Sequence, residues 1–490
     1  MSEFSKKQFD TKKGLWKGFG IALVAAQAVT SILLMISIIA AKILTGQIVF
    51  IIGAVLLVLL AMSALKLIFE KNASQGSKIA CAAISIVCII GTIFVFRYSN
   101  AFNGFLDKVT SNKETKQYGV MVTKDSPLKD VFDIKGKTLG FLKIDEKAGN
   151  AEQYLQQISK FTSDFYEDLD TLTGVMNGNI VDAIVLETDR IEMLKEEAAD
   201  SVKDTRIIYT FEIELDAKNV EISEKDLTEE PFVLYISGTD SRAGLKATSR
   251  SDVNIIAAVN PKQGKILLVS IPRDTYVQLH GTTGIKDKLT HAGVYGIAMS
   301  KQTIEDFLGI KIDYTAKVSF GTVVKIVDEL DGIEIDSDKA MTLKETELYN
   351  RVCDYKVGKQ VVDGECALRF ARERKSYERG DRHRGENQMQ VISAIVAKLS
   401  SSKNYVLKLP TILDIAADSF ETSLSRDDIS GFIRMQLAEG TKWQVEQISV
   451  DGTGSMQGTY SMGANRPLYV MIADPATVAT ATNKIAEYLK

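Results

Sequence analysis

The sequence predicts three N-terminal transmembrane helices, then a small α/β accessory domain and a larger α/β/α domain on a central mixed sheet. Three observations predict it. The first hundred residues are strongly apolar, strand-like and helix-like segments alternate after residue 117, and a charged stretch divides that alternation in two. At 490 residues the chain is too long for one typical domain, and a net charge of −4 gives no global pull toward nucleic acid.

The spans come first. Apolar runs cover Leu15 to Ala41, Ile48 to Phe69 and Ile79 to Phe96, each long enough at ~1.5 Å per residue to cross a ~30 Å hydrocarbon core. Charged residues keep to their ends, as the cost of unpaired charge in lipid demands. A signal peptide followed by buried helices is the competing reading; three runs, short loops and no small-residue cleavage site argue against it. Lys6, Lys7, Lys12, Lys13 and Lys17 precede the first run, Lys42 alone marks the first loop, and Lys66, Lys71 and Lys78 surround the second. That distribution places residues 1–14 in the cytoplasm and everything after about Arg97 outside, with 15–98 as the spanning region of a multi-pass cell-membrane protein. Cys81 and Cys88 fall in the third span. Cys353 and Cys366 lie 13 positions apart in the outer part, where an oxidising compartment permits a disulfide; two buried thiols are the alternative. Three histidines and no CxxC motif leave little for zinc.

After a polar stretch, Ser99 to Lys116, residues 117–217 read as the accessory α/β domain. Tyr118–Thr123 alternates like a strand. Asp133–Gly140 and Gly178–Val185 each read as a turn entering a strand, a phrasing that resembles one lobe of the periplasmic solute-binding fold. About a hundred residues is too short for the two lobes that would make a ligand cleft. A charged linker over 218–231 follows, and 232–490 form the larger domain. Within it Phe232–Ser237, Val253–Val259 and Lys265–Ile271 are strand-like, and Lys301–Leu308 and Thr322–Leu330 helix-like.

Arginine is scarce and unevenly placed: of sixteen, six fall between Arg369 and Arg384. Guanidinium is planar, permanently charged and matches phosphate oxygens with a fork of donors, so the cluster suits a phosphorylated ligand. A merely solvated charge run is the competing reading. Three further pieces favour a site: Gly238-Thr239-Asp240-Ser241-Arg242 after one apolar strand, Arg250-Ser251-Asp252 opening the next, and Ser270-Ile271-Pro272-Arg273-Asp274 closing a third. Ligands of open α/β sheets bind beyond the carboxyl ends of strands.

These pieces, with Lys288-Leu289-Thr290-His291-Ala292, Asp363-Gly364-Glu365, Phe370-Ala371-Arg372-Glu373-Arg374-Lys375 and Asn387-Gln388, resemble the LytR–CpsA–Psr family of extracytoplasmic phosphotransferases over Phe232 to about Asp427, and more loosely beyond. Three spans and an accessory domain resemble its capsule-attachment branch. Cys366 and Met389 stand where glutamines are expected, and Thr290 where asparagine is common. The resemblance implies transfer of an anionic glycopolymer, capsular polysaccharide or wall teichoic acid, from undecaprenyl diphosphate to the muramic acid C6 hydroxyl of peptidoglycan. Polysaccharide assembly proteins are implied as further partners, and nucleic acid is not.

For that reaction Asp240, Arg273 and Arg374 are the catalytic candidates. Arg250, Arg273, Arg372 and Arg374 clamp the diphosphate with Gln388 as a neutral donor, Arg242, Lys288 and Arg384 rank second, and Asp240 and Asp252 hold Mg²⁺ or Mn²⁺. Asp274 reads equally as an orienter of Arg273, His291 as a structural histidine, Arg369 as a helix-surface partner of Glu373, and Arg379 and Arg382 as solvent-facing. Thr303–Leu308 and Val391–Leu399 are candidate walls for the lipid tail, with ordinary core packing the competing reading and the preferred one for any single residue there. A polyprenyl pyrophosphatase and a non-catalytic membrane scaffold or regulator remain alternatives. The short inside segments and the lack of a helix-turn-helix leave no place for DNA binding, and no GxxxxGK[ST] or GxGxxG nucleotide loop is present.

Overall fold

Three long helices open the chain: α1 (Glu3–Ala41), α2 (Gly46–Ala64), continued by a π-helical turn over Leu65–Phe69, and α3 (Gln75–Val109). The computed structural model describes residues 3–42, 44, 46–70, 74–109, 113–145, 147–216, 225–239, 250–346, 349, 351–401, 412, 415 and 420–490. Stretches of 23, 24 and 34 residues in these helices are long and apolar enough to cross a membrane. The third helix does not stop near Phe96. It runs on through the polar stretch expected to be a separate connection, because Asn100 to Lys108 contains neither proline nor a capping break. Ser85 and Ser63 join two of the helices by a 2.8 Å hydroxyl contact, the kind of polar link that helices use in lipid. By contacts the chain separates into two units. One holds 1–108 with 404–417 and 425–440, and the other 109–403, 418–424 and 441–490.

In the second unit, β1 (Lys113–Thr123), β2 (Thr138–Leu142), α4 (Ala148–Ile158), β3 (Thr162–Tyr166), α5 (Leu169–Asn177), β4 (Ala183–Glu187), α6 (Thr188–Glu197), α7 (Ala199–Val202) and β5 (Thr205–Asp216) form the accessory fold. Its five strands lie in the order β3-β2-β4-β1-β5, parallel across β3-β2-β4 and antiparallel across β4-β1-β5. One of its two cores takes in Met462 and Leu468 from far down the chain.

The larger fold begins with β6 (Phe232–Thr239), β7 (Val253–Asn260), β8 (Lys265–Ser270), β9 (Tyr276–Val277), β10 (Asp287–Lys288), α8 (Leu289–Ala292), α9 (Ile297–Leu308), β11 (Tyr314–Ser319) and α10 (Phe320–Glu329). It continues with β12 (Ile333–Ser337), β13 (Met341–Leu343), β14 (Cys353–Tyr355), β15 (Gly358–Val362), α11 (Gly364–Arg372), α12 (Asp381–Ser401) and β16 (Phe420–Thr422). After α13 (Arg426–Glu439), which groups with the three long N-terminal helices, come β17 (Gln444–Ser449), β18 (Gly452–Thr459), β19 (Gly463–Ala473) and α14 (Pro475–Tyr488). Six strands make the central mixed sheet, ordered β16-β11-β6-β7-β8-β17. β7 is buried at every position, as a strand covered on both faces must be, and apolar apart from its asparagines.

Strand parity sorts the two faces. Val233, Tyr235, Ile256 and Leu267 pack with Ile304 and Leu308 of α9 and Ile485 of α14, whereas Leu234, Ile236 and Val253 face α10, α11 and α12. Since β6 and β8 run antiparallel to β7, while β11 follows β6 and β17 follows β8, the carboxyl ends of β6, β8, β11 and β17 and the start of β7 share one edge. Cys353 and Cys366 are joined by a disulfide that ties β14 to the first turn of α11. Closing a loop across a separation of 13 residues restricts the unfolded chain. A Cys353→Ala/Cys366→Ala protein is therefore expected to lose about 2–4 kcal/mol of unfolding free energy, read from urea denaturation of the purified chain.

Candidate active site

The shared edge gathers most of the charged residues singled out from the sequence. Arg273, just past β8, donates from Nη1 to Asp252 Oδ1 at 2.8 Å, and its Nε lies 3.7 Å from Asp381 Oδ1. Arg384 reaches Asp381 at 2.7 Å and donates to the Asp252 carbonyl at 3.2 Å. Asp381, Arg384 and Gln388 occupy one face of the first turns of α12, three and four positions apart. Gly385 lets that helix close on the end of β8, for a Cβ there would strike Ser270 Oγ.

The electrostatics follow from crowding. Burial pushes the Asp252 carboxyl up, but Arg273 and Arg250 outweigh it and hold the group below the usual carboxylate range. At Asp381 burial wins over Arg384, and the carboxyl is raised. Burial, helped by Arg273 and Arg374, lowers Arg384 from the ordinary arginine value. Three buried donors, Arg273 Nε, Arg384 Nε and Gln388 Nε2, make no hydrogen bond among the described residues, and neither does the one buried acceptor beside them, Asp381 Oδ1, so donors outnumber it. A buried donor without an acceptor is costly, so this edge is suited to an anion.

Other expected residues are placed as follows. Arg250 gives both terminal nitrogens to Glu196 of α6, at 2.7 and 2.8 Å, and its field acts on Asp252. Lys288 is held between Glu197, at 2.9 Å, and Asp274, at 3.2 Å, so Asp274 serves that lysine as well as neighbouring Arg273. Arg374 is exposed and acts on Asp381 and Arg384 through its charge, and Arg372 donates to the Tyr349 hydroxyl at 3.1 Å. Asp240 and Arg242 lie outside the described residues. His291 is structural on one side: Nδ1 lies 2.6 Å from Asp287, while Nε2 has no hydrogen-bond partner among the described residues.

Three further readings can be placed, and the first needs correction. Arg369 does not pair with Glu373 on a helix surface. α11 ends at Arg372 and Glu373 is already extended, so the one-turn spacing is lost; buried Arg369 instead donates to the Arg351 and Lys344 carbonyls, with Glu365 at 3.9 Å behind it. Arg379 is exposed as expected and Arg382 half-buried, and both also reach Asp451, just past β17. Thr303–Leu308 does not line the apolar cavity, because Ile304 and Leu308 pack on the opposite sheet face. Val391, Ile392, Ile395 and Val396 do line it. That cavity, about 290 Å³, lies between the sheet and helices α10 to α12, with Gly238, Val253 and Gln388 at its end nearest the charged edge.

Among the described residues no three metal-type donors cluster. Ionised Asp252 is a hard oxygen donor of the right kind. Mg²⁺ is commonly bound by one or two carboxylates plus substrate phosphates rather than by a protein cage, so the donor set is compatible with it.

Residues 192–475 match the LytR_cpsA_psr family. The chain belongs to that family. Its LytR_cpsA_psr relatives include the polyisoprenyl-teichoic acid–peptidoglycan teichoic acid transferase TagU of Halalkalibacterium halodurans, 33% identical over 46% of this chain and 71% of that protein. TagU of Bacillus subtilis is 30% identical over 56% of this chain and 81% of that protein. The crystal structure of B. subtilis TagV aligns with 53% of this chain and 98% of its own at 28% identity, with a TM-score of 0.44.

The acids Glu196, Glu197, Asp381 and Asp451 were not singled out from sequence. Only the spacing of Asp381 to Arg384 and Gln388 offered a local signal. Asp189, at the start of α6, has its carboxyl pushed up to about 7 by burial and by Glu187. A folded-state value above the unfolded one means the charged form is penalised, so stability falls as pH rises from about 4 to about 7. Asp189→Asn is expected to unfold at a higher temperature than the parent at pH 8, by roughly 2–4 kcal/mol equivalent, and to show no such gain at pH 4; thermal melts at the two values check it.

Proposed function

We propose that this chain transfers an anionic glycopolymer from a polyprenyl diphosphate carrier to a hydroxyl of peptidoglycan. The observation that carries the reading is the pairing of unlike surfaces. Buried arginine and glutamine donors without acceptors sit beside the end of an apolar cavity, the arrangement needed by a molecule with a diphosphate head and a hydrocarbon tail. The teichoic acid relatives support wall teichoic acid as the polymer. Assignment to the capsule-attachment branch rests on the three spans and accessory fold alone. The lysine distribution and the disulfide support an outward-facing working domain over 232–490; the separate five-stranded sheet supports an accessory domain at 117–217, and the linker at 218–231 falls partly outside the described residues.

In the proposed reaction a sugar hydroxyl oxygen attacks the sugar-linked phosphorus, the bridging P–O bond breaks, and lipid monophosphate departs with the bridging oxygen. Arg273, Arg384 and Arg250 set their donors on the phosphate oxygens, where charge grows, and so lower the repulsion met by the incoming oxygen. Arg374, exposed at the same edge, and Arg372 add positive charge, and Gln388 offers a neutral donor at the cavity end. Asp252 fixes Arg273, and a Mg²⁺ or Mn²⁺ ion held by Asp252 and Asp240 would neutralise further phosphate charge. The hydroxyl proton passes to a carboxylate. Asp240 is one candidate, and Asp381, whose burial favours protonation, is another.

Two measurements test the reading. Arg273→Ala should lower polymer transfer by about 10²–10³-fold while the protein still inserts in membranes; undiminished transfer would sink the assignment. Ile392→Trp, which fills the cavity, should weaken undecaprenyl diphosphate at least about tenfold and leave inorganic pyrophosphate binding unchanged, as calorimetry can show.

A further inference from the structure

Four cations of the charged edge already have a carboxylate within hydrogen-bond distance: Arg273 on Asp252 at 2.8 Å, Arg384 on Asp381 at 2.7 Å, Lys288 on Glu197 at 2.9 Å and Arg250 on Glu196 at 2.7 Å. An arriving diphosphate therefore meets a seat whose charge is largely neutralised. For its oxygens to gain full use of a guanidinium fork, some resident carboxylate has to leave.

The four acids differ sharply in how easily they can do so. The side chains of Asp252, Asp381 and Glu197 are 13%, 16% and 15% exposed, whereas that of Glu196 is 55% exposed. Glu196 can turn into water without burying its own charge, and arriving phosphate oxygens would take its place on Arg250, whose side chain is only 13% exposed. Its backbone stays put meanwhile. The next residue, Glu197, pins the end of α6 to Lys288, and earlier in the same helix the Arg190 guanidinium lies 4.7 Å over the Tyr295 ring. The geometry on Arg250 is also that of a phosphate substitute: two oxygens on the two terminal nitrogens at 2.7 and 2.8 Å. Hydrogen bonding to Arg250 holds the Glu196 carboxyl below its usual range, so it is ionised when it competes.

We propose that Glu196 of the accessory fold is a resident competitor in the diphosphate seat, a residue that occupies the Arg250 fork until phosphate oxygens displace it and that thereby sets the apparent affinity for the lipid-linked substrate. The proposal rests on the reading of Arg250 as a phosphate ligand. It gives the accessory fold a part in substrate binding through one movable side chain, with no domain motion.

The test is calorimetric binding of farnesyl diphosphate to the full chain in detergent micelles, comparing the parent with Glu196→Gln, Glu196→Ala, Arg250→Ala and the Glu196→Ala/Arg250→Ala pair. A partly exposed ion pair is modest in strength, so both Glu196 variants should bind about two- to fivefold more tightly than the parent. Arg250→Ala should bind more weakly, and adding Glu196→Ala to it should bring no gain. Unfolding or loosening cannot imitate a gain in affinity. Unchanged or weaker binding in both Glu196 variants, with Arg250→Ala still weakened, overturns the competitor and leaves the seat standing. An Arg250→Ala protein that binds as well as the parent removes the seat itself, and the competitor with it.

Discussion

The ion pair between Arg273 and Asp252 is the constraint around which the site is arranged. Both side chains are withdrawn from water, and each meets the other at 2.8 Å. A withdrawn charge is tolerable only when paired and hydrogen-bonded, and removing one member strands the other. Arg273 follows β8 and Asp252 precedes β7, so the antiparallel pairing of these strands brings the two residues together. Arg384 then joins through the Asp252 carbonyl, and Asp381 through Arg384. The sheet supplies the register; the ion pair makes that register productive.

What the sequence revealed of this arrangement was its cations. Arg250 and Arg273 announced themselves by residue type and by their places beside strand ends, Arg384 by its place in the arginine cluster, and the strands by largely apolar runs such as Val253–Val259. The acids that answer them were hidden for a geometric reason. Glu196 meets Arg250 across 54 positions and Glu197 meets Lys288 across 91, distances over which spacing carries no information. Helix limits were the other weak point. Arg369 was paired forward to Glu373 on the assumption that α11 continues, but the helix stops one residue short and the arginine turns inward. The wall of the apolar cavity was half legible: Val391, Ile392, Ile395 and Val396 line it, while Ile304 and Leu308 serve the other face of the same sheet.

Accessory and catalytic folds share more than a border. Arg466, on β19, reaches Asp170 and Asp200 at 2.9 Å, and the amides of Leu169 and Asp170 donate to the carbonyls of Ser461 and Met462. Buried Arg190, paired to Glu187 at 2.9 Å, lies against Tyr295, whose hydroxyl meets Ser461 at 3.0 Å. Separating the two folds would uncover buried charge together with the apolar contacts beside it, which favours a fixed relation over a loose one.

The presence of Met462 and Leu468 in a core otherwise built from residues 121 to 202 has a temporal meaning. A ribosome delivers the accessory strands some 250 residues before the hairpin residues that seal them, at the usual 5–20 residues per second a delay on the order of tens of seconds. During that interval the seam beside Leu169 and Leu172 stands open. The accessory fold is therefore begun before the larger fold yet sealed only near the end of the chain, and a chain interrupted anywhere before Leu468 leaves an oily gap for chaperones or proteases to find.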